Sequence, residues 1–340
     1  MHRRLHITLF VTLGIVLTIS TLGDLMLGTT HIPIEEIWGV MVGETTNANY
    51  SKIILELRLP KLIVAILAGA ALAVSGLEMQ TLFRNPLAGP YVLGINSGAS
   101  LGVALFTLSA PILGLLSGSM FMRIGVTGMA WIGSAAILVV VMALSRKIKS
   151  VSTILILGMM LGSAISAIVG VLQYMGSDES LKAFVVWTMG SLSTVTMGDI
   201  GVFAPAILLG LLLAIVAIKP LNMLLLGESY ARTMGLNIRR SRLVIFLSTT
   251  LLAGTVTAFC GPIGFIGLAM PHLARLTFRT ADHRVLVPAT MLWGAVSMVL
   301  CALLSDIVAH SSVMLPVNTI TALLGVPIII FVVVRNRNRE

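Results

Sequence analysis

Few side chains in this sequence combine the types and the spacing that catalysis needs. Asp306 and His310 lie one helical turn apart, and His272 with Asp306 is the one pairing that suggests acid–base chemistry. Helix capping and solvation at a membrane surface explain these residues equally well. The sequence contains no Gly-x-x-x-x-Gly-Lys-Ser/Thr, Gly-x-Ser-x-Gly or His-Glu-x-x-His motif. We therefore expect neither catalysis nor ATP binding by this chain.

The remaining reactive side chains do not suggest a cofactor or a metal ion. Cys260 and Cys301 lie in apolar runs, and the six histidines show no close ligand spacing. We also expect no buried carboxylates within the apolar runs. Because an ion-driven carrier needs an ionisable relay at membrane depth, this expectation disfavours such a carrier. The energy for any transport would then come from another protein.

Composition places the chain in a membrane. Of its 340 residues, 57% are hydrophobic and 10% are charged, and the mean hydropathy is +1.04. A soluble domain of this length could not hide so much apolar surface, and the apolar runs do not alternate as barrel strands do. The formal charge of +9 is typical of the positive-inside bias of membrane proteins, which explains it more simply than nucleic-acid binding does.

Ten apolar segments approach the roughly 20 residues that span a bilayer, so the predicted fold is all-α and polytopic. The first segment is longer than a signal-peptide core and lacks a small-x-small cleavage site, so we expect it to be retained. The ten segments are about 5–27, 59–80, 92–110, 121–145, 151–173, 199–219, 243–262, 264–279, 285–305 and 318–334.

The basic residues orient these spans. With both termini on the cytoplasmic side, 17 of the 22 Lys and Arg residues fall on inner segments and 5 on outer ones. We expect a single permease domain over 1–340 with an inner loop at about 219–242. A short interfacial helix is predicted in each of two outer segments, one starting at Pro33 and one around 180–191.

Two irregular stretches interrupt the apolar runs. Arg84-Asn85-Pro86-Leu87-Ala88-Gly89-Pro90 separates two of them, and 261–275 contains three evenly spaced glycines and two prolines. Irregular backbone at membrane depth is tolerated only where protein or a water-filled path covers it. We therefore expect the first stretch to line a conduit. The second indicates either the same or a tightly packed, kinked helix pair.

Weaker patterns concern helix packing. A shift of 185 residues aligns 67–69 with 252–254 and Pro86 with Pro271. Chance explains these identities as well as a repeat does; a true repeat would be inverted, five spans plus five. Gly-x-x-x-Gly spacings at 94/98, 98/102, 114/118 and 158/162 predict packing within the chain more than dimerisation.

The inner loop contains an amphipathic segment, 227–236, which predicts a short helix ending at Gly235. A plain connection would not need a glycine-flanked helix with Met and Tyr among charged residues. The segment therefore favours a helix that docks a partner protein.

Taken together, these blocks resemble a known family over nearly the whole chain. The sequence is similar to the iron-siderophore, haem and cobalamin permeases (FecCD-like) of binding-protein-dependent ABC importers. The blocks that carry the resemblance are Arg58-Leu-Pro-Lys61, 67–76, Gln80, 84–88, Leu93-Gly94, Gly98-Ala99, Leu226-Gly-Glu228, Ala231, Gly235, 261–268, Pro271-His272, Arg275, Asp282-His-Arg284, Pro316-Val317, Thr321-Ala322 and Gly325-Val-Pro327.

The resemblance implies a homodimer with its translocation path on the two-fold axis, two cytoplasmic ATPase subunits and an extracytoplasmic binding protein. Three sets of residues match the functional positions of the family. They are Gly227, Glu228, Ala231, Arg232 and Gly235 for ATPase coupling; Asn85, Leu87, Val151 and Ser152 for an inner gate; and Arg58, Lys61 and His310 for docking of the binding protein. Four positions depart from the usual pattern: His310 stands for an arginine, Met314 for an acidic residue, Asn318 for a glycine and Val151 for one of two small polar residues at the gate.

The function that the resemblance implies is import of a bulky metal chelate, a ferric siderophore or haem, across a bacterial cytoplasmic (inner) membrane. The alternatives are a cobalamin permease of the same family and a self-contained secondary transporter. We expect membrane lipid, a second copy and the partner subunits as contacts, with no cofactor and no nucleic acid.

Overall fold

The computed structural model describes residues 2–28, 30–44, 47–109, 119–148, 150–308 and 315–337. Within these ranges the regular elements are helical, which confirms the predicted fold class. The α-helices are α1 (His2–Met26), α2 (Ile34–Val42), α3 (Ala48–Lys52), α4 (Leu59–Leu82), α5 (Ile95–Ser109), α6 (Ser119–Lys147), α7 (Val151–Met175), α8 (Asp178–Thr188), α9 (Met197–Leu224), α10 (Glu228–Thr233), α11 (Ile238–Thr249), α12 (Thr255–Cys260), α13 (Ile266–Phe278), α14 (His283–Val308) and α15 (Val317–Arg337).

Three shorter helical segments connect these helices. A π-helical segment, Ile53–Arg58, leads from α3 into α4, and a second one, Thr250–Gly254, joins α11 to α12. A 3-10 turn, Pro90–Leu93, precedes α5. The third predicted span therefore begins at Ile95 rather than at residue 92, because residue 92 belongs to this turn and Gly94, at φ 78°, follows it.

Each of the ten predicted spans coincides with a helix, and seven helical stretches of the described chain have spanning length and composition. Two further predicted spans are shorter apolar helices, Ile95–Leu108 and Val317–Val332. The eighth predicted span, α13, has 13 residues and so extends about 20 Å, less than the roughly 30 Å of a hydrocarbon core. The seven long stretches are Arg4–Met26, Ala48–Leu82, Ile124–Ser145, Val151–Met175, Met197–Leu224, Ile238–Cys260 and His283–Val308.

Both predicted short helices are present, and local sequence explains their ends. Helix α2 follows Pro33, whose extended backbone precedes the first turn, and it stops at Gly43, whose φ of 85° suits glycine. Helix α8 begins at Asp178, slightly earlier than predicted, because the Ser177 side chain accepts a hydrogen bond from Ser180 N.

The described chain groups into two compact units, which we call unit 1 (1–74, 191–205 and 264–340) and unit 2 (75–190 and 206–263). In unit 1, α14 packs against α1, and α13 packs against α14 and α15. In unit 2, α5 packs against α6, α7 and α8, and α6 also packs against the α11–α12 segment. The packing of α5 with α6 and α7 thus resembles that of α13 with α14 and α15, while the internal repeat itself stays a prediction.

Within unit 2, the α5 and α6 backbones approach each other closely at the glycines of α5. A methyl group on Gly98 would lie 2.5 Å from the carbonyl oxygen of Gly133, and one on Gly102 would lie 2.0 Å from that of Met129. Small residues therefore let the α5 and α6 backbones touch. This confirms the prediction of intrachain packing for the 98/102 pair, whereas the 114/118 pair lies outside the described residues.

Candidate functional site

The predicted conduit turn is a structured helix end followed by a tight turn. After α4, Arg84 adopts a positive φ of 47°, which costs a non-glycine residue about 1–2 kcal/mol. Asn85 N donates to the carbonyl oxygen of Gln80 at 3.1 Å, and Asn85 Oδ1 accepts from Leu87 N at 2.9 Å. The Asn85 side chain therefore fixes the turn, while the Leu87 side chain remains exposed.

The other two predicted gate residues occupy the first turn of α7. Ser150 caps this helix by accepting from Thr153 N; Val151 is half-buried and Ser152 is exposed. Farther along α7, a methyl group on Gly158 would lie 2.4 Å from the carbonyl oxygen of Val92. The turn that follows the first gate pair is thus packed directly on the helix that carries the second pair.

Helix α10 forms as predicted, between Gly227 at φ 103° and Gly235 at φ 84°. Ala231 is buried beneath it, whereas Arg232 is exposed. Three apolar side chains spaced four residues apart are exposed, and we call them the α10 stripe. They are Leu226 (62% exposed), Tyr230 (55%) and Met234 (53%).

Two arginines of unit 2 connect α10 to the predicted gate segments. A methyl group on Gly227 would lie 3.4 Å from Nη1 of Arg84, the residue that precedes Asn85. Arg242 donates from Nη2 to Glu228 Oε1 at 2.6 Å and from Nη1 to the carbonyl oxygen of Ile148 at 3.4 Å. Arg84 and Arg242 thus each lie near α10 and near one of the two predicted gate segments.

The predicted docking residues Arg58 and Lys61 are buried, each with 7% exposure, and both have partners within unit 1. Arg58 donates to the carbonyl oxygens of Leu25 and Thr30. Lys61 Nζ lies 2.5 Å from Asp306 Oδ2 and 3.7 Å from Asp24 Oδ1.

A cavity of about 300 Å³ adjoins Arg58, Lys61 and Asp306, with Glu56, Thr30 and Thr196 also in its wall. The third predicted docking residue, His310, and the nearby Met314 lie outside the described residues. The structure thus brings the first two docking residues together beside one cavity.

The expectation of no buried carboxylate within the spans is wrong. Asp24 lies in α1 with 1% exposure, and Glu78 lies in α4 with none. Thr249 donates to Glu78 Oε2 at 2.9 Å, while Glu78 Oε1 has no hydrogen-bond partner among the described residues. Both acids fall inside the predicted spans 5–27 and 59–80, so a reading of each span for single acids would have found them.

In the second irregular stretch, side chains form hydrogen bonds with backbone groups of the non-helical segment. Gly261 and Phe265 both adopt positive φ, 74° and 66°, and this backbone is not helical. Within unit 2, the Tyr91 hydroxyl donates to the carbonyl oxygen of Ile263 at 2.8 Å. Within unit 1, Gly264 N donates to Asn318 Oδ1 at 2.9 Å. The asparagine that departs from the family pattern therefore has a defined partner.

The long apolar helices and the irregular turns between them define a multi-pass membrane protein. In the described part of the chain, no three His, Cys, Asp or Glu side chains converge as metal ligands do.

Comparison with known proteins supports this class. The FecCD transport family matches residues 15–335. The chain is 37% identical over 335 residues to the hemin transport system permease protein HmuU of Yersinia pestis, which covers 96% of this chain and 95% of that protein. It is 36% identical over 300 residues to the vitamin B12 import system permease protein BtuC of Klebsiella pneumoniae subsp. pneumoniae, with 87% of each chain covered.

A solved structure described as a metal-chelate type ABC transporter in an inward-facing conformation superposes with a TM-score of 0.83 at 30% identity, covering 96% of this chain and 99% of that one. The chain belongs to the FecCD transport family. The resemblance stated from the sequence is thereby confirmed.

Proposed function

We propose that this chain is the membrane-spanning subunit of an importer that carries a bulky metal chelate, a ferric siderophore or haem, into the cytoplasm. A separate ATPase supplies the energy, and an extracytoplasmic binding protein supplies the ligand. Support comes from the relatives, which include a hemin permease and a vitamin B12 permease, and from the similarity to a metal-chelate type ABC transporter.

The observation that carries the proposal is the double connection of α10. Its N-cap, Gly227, lies near Arg84, since a methyl group there would be 3.4 Å from Arg84 Nη1. Its first residue, Glu228, binds Arg242, which also donates to the carbonyl oxygen of Ile148. The exposed α10 stripe is an apolar surface at the end of two long helices, where a partner can bury it. Docking of two ATPase subunits on α10 in a homodimer would then move the gate at Asn85, Leu87, Val151 and Ser152.

The same proposal assigns the binding protein to the surface beside Arg58 and Lys61. Because Lys61 is already paired with Asp306, an acidic group of the binding protein would have to compete with that carboxylate. The Lys61 ammonium group therefore becomes available to pair with an acidic group of the binding protein only when the Lys61–Asp306 contact opens. His310 completes this docking set in the proposal.

A cobalamin cargo is the alternative within the same family, since a vitamin B12 permease is 36% identical to this chain. Uptake assays with binding proteins loaded with haem, a ferric siderophore or cobalamin distinguish these cargoes. If ligand accumulates only with the cobalamin-loaded binding protein, the cargo is cobalamin and the proposed substrate class is wrong.

A self-contained secondary transporter is the second candidate, and buried Glu78 is the observation that favours it. An ionisable side chain at membrane depth marks an ion pathway by default. The test is reconstitution of the subunit alone in liposomes under a proton or sodium gradient. We expect no accumulation there, and strong accumulation would exclude the ATP-driven proposal.

Coupling through α10 is tested with the double variant Tyr230→Ser/Met234→Ser. Tyr174→Ser is the matched control, because Tyr174 is 92% exposed and lies outside the α10 stripe. We expect the double variant to lose ATP-dependent uptake and co-purification of the ATPase, and the control to keep both. Equal activity of the two variants would refute docking on α10.

A further inference from the structure

A groove in unit 2 follows one face of α6 and one face of the α11–α12 segment. Its apolar part has a volume of about 380 Å³, and a second cavity of about 410 Å³ is lined by the next turns of the same two helices. The lining residues of α6 recur at helical spacing, so a single face of α6 forms the wall of both parts. The apolar part is lined mainly by Trp131, Ile132, Ala135, Leu138, Leu247 and Leu251.

The second cavity is basic. Arg239, Arg240 and Arg242 line it together with the apolar side chains of Met142 and Phe246. Arg242 is bound to Glu228. Arg239 and Arg240 are exposed, and neither makes an ion pair with a described residue.

The position of this basic cavity along the helices is informative. The candidate membrane span of α6 ends at Ser145, and that of the α11–α12 segment begins at Ile238, so the three arginines lie at the polar ends of both spans. The groove is therefore cationic at the level of lipid headgroups and apolar at the level of acyl chains.

We propose that this groove binds one anionic phospholipid. The phosphate contacts the Arg239 and Arg240 guanidinium groups, which suit bidentate hydrogen bonding to phosphate oxygens. One acyl chain lies along the apolar part, past Leu138 and Leu247. A basic pocket at a membrane surface matches an anionic headgroup in charge, and the apolar continuation selects a lipid over a soluble anion.

The proposal is tested by native mass spectrometry of the full chain with phosphatidylglycerol and phosphatidylcholine as probes. We expect preferential retention of phosphatidylglycerol. The double variant Arg239→Gln/Arg240→Gln should weaken it roughly 25-fold, at about fivefold per arginine. Its control is Arg279→Gln/Arg284→Gln, which removes the same charge from two exposed arginines of unit 1 and should leave the preference intact.

A second pair of variants tests the apolar part. Ala135→Trp fills the groove, whereas Ala136→Trp places the same side chain on an exposed neighbour outside the lining. We expect only Ala135→Trp to reduce lipid retention, with both variants unfolding at similar temperatures.

Three results would overturn the proposal. The first is equal retention of the two lipids, or equal loss in the arginine variant and its control. The second is binding of inorganic phosphate with the same dependence on Arg239 and Arg240 but no effect of Ala135→Trp, which would make the groove a simple anion site. The third is cross-linking of the groove to a second copy of the chain, which would make it a subunit interface.

Discussion

The pair formed by Glu228 and Arg242 gives the sharpest test of whether α10 transmits motion to the rest of the chain. Arg242 is buried, and its Nη2 and Nε atoms lie 2.6 and 3.2 Å from Glu228 Oε1. Glu228→Gln keeps the side-chain volume and one acceptor oxygen but removes the negative charge. A charge-assisted hydrogen bond contributes about 1.5–3 kcal/mol and a neutral one about 1 kcal/mol, so the substitution should weaken the contact by about 1 kcal/mol.

A loss of that size changes a two-state equilibrium roughly fivefold. We therefore expect Glu228→Gln to reduce the number of ligands imported per ATP hydrolysed about fivefold, while basal ATP hydrolysis and expression stay close to wild type. The assay measures uptake and ATP hydrolysis in the same proteoliposomes, which contain the permease, its ATPase and a loaded binding protein. Glu179→Gln is the matched control, because Glu179 is an exposed acid in α8.

A double-mutant cycle separates the contact from general damage. Glu228→Gln, Arg242→Gln and the double variant should give a coupling free energy of about 1 kcal/mol. A coupling free energy near zero, or equal uptake ratios for Glu228→Gln and Glu179→Gln, would refute transmission through this pair.

Three further predictions follow from packing and buried charge. Gly98→Ala should lower the free energy of unfolding by about 1–3 kcal/mol, because its methyl group would overlap an α6 carbonyl, and the thermal unfolding temperature in detergent measures this loss. Gly14→Ala, whose methyl group would have no atom within 4 Å, should leave that temperature unchanged. Lys61→Met should destabilise unit 1 by roughly 3 kcal/mol, since it removes the cation paired with buried Asp24 and half-buried Asp306. Adding Asp306→Asn should recover part of the loss in the same measurement. Glu78→Gln should keep ATP-driven uptake, and loss of uptake in a stable Glu78→Gln protein would point to an ion relay.

Several features were predictable because they depend on local sequence. The apolar runs predict the long helices, Pro33 predicts the start of α2, and Gly235 predicts the stop after α10. The glycines of α5 indicate close helix packing because no larger side chain leaves room for a second backbone. These features need no knowledge of distant contacts.

Other features depend on partners far away in the chain. The burial of Arg58 and Lys61 could not be derived from their own segment, because their partners come from α1 and α14. The proximity of Arg84 to Gly227 is equally nonlocal. The buried acids Asp24 and Glu78 are a different case: they are visible in the sequence, but the apolar average of each span conceals a single carboxyl group.

Asn318 stabilises the irregular backbone that leads into α13. Gly264 N precedes the helix and has no i−4 carbonyl in regular helical geometry, and the amide oxygen of Asn318 accepts its proton instead. An uncapped N–H in hydrocarbon costs several kcal/mol or draws in water. The side-chain amide thus takes the place that a water molecule would otherwise fill at this N–H, so the bend needs no solvent molecule at Gly264 N.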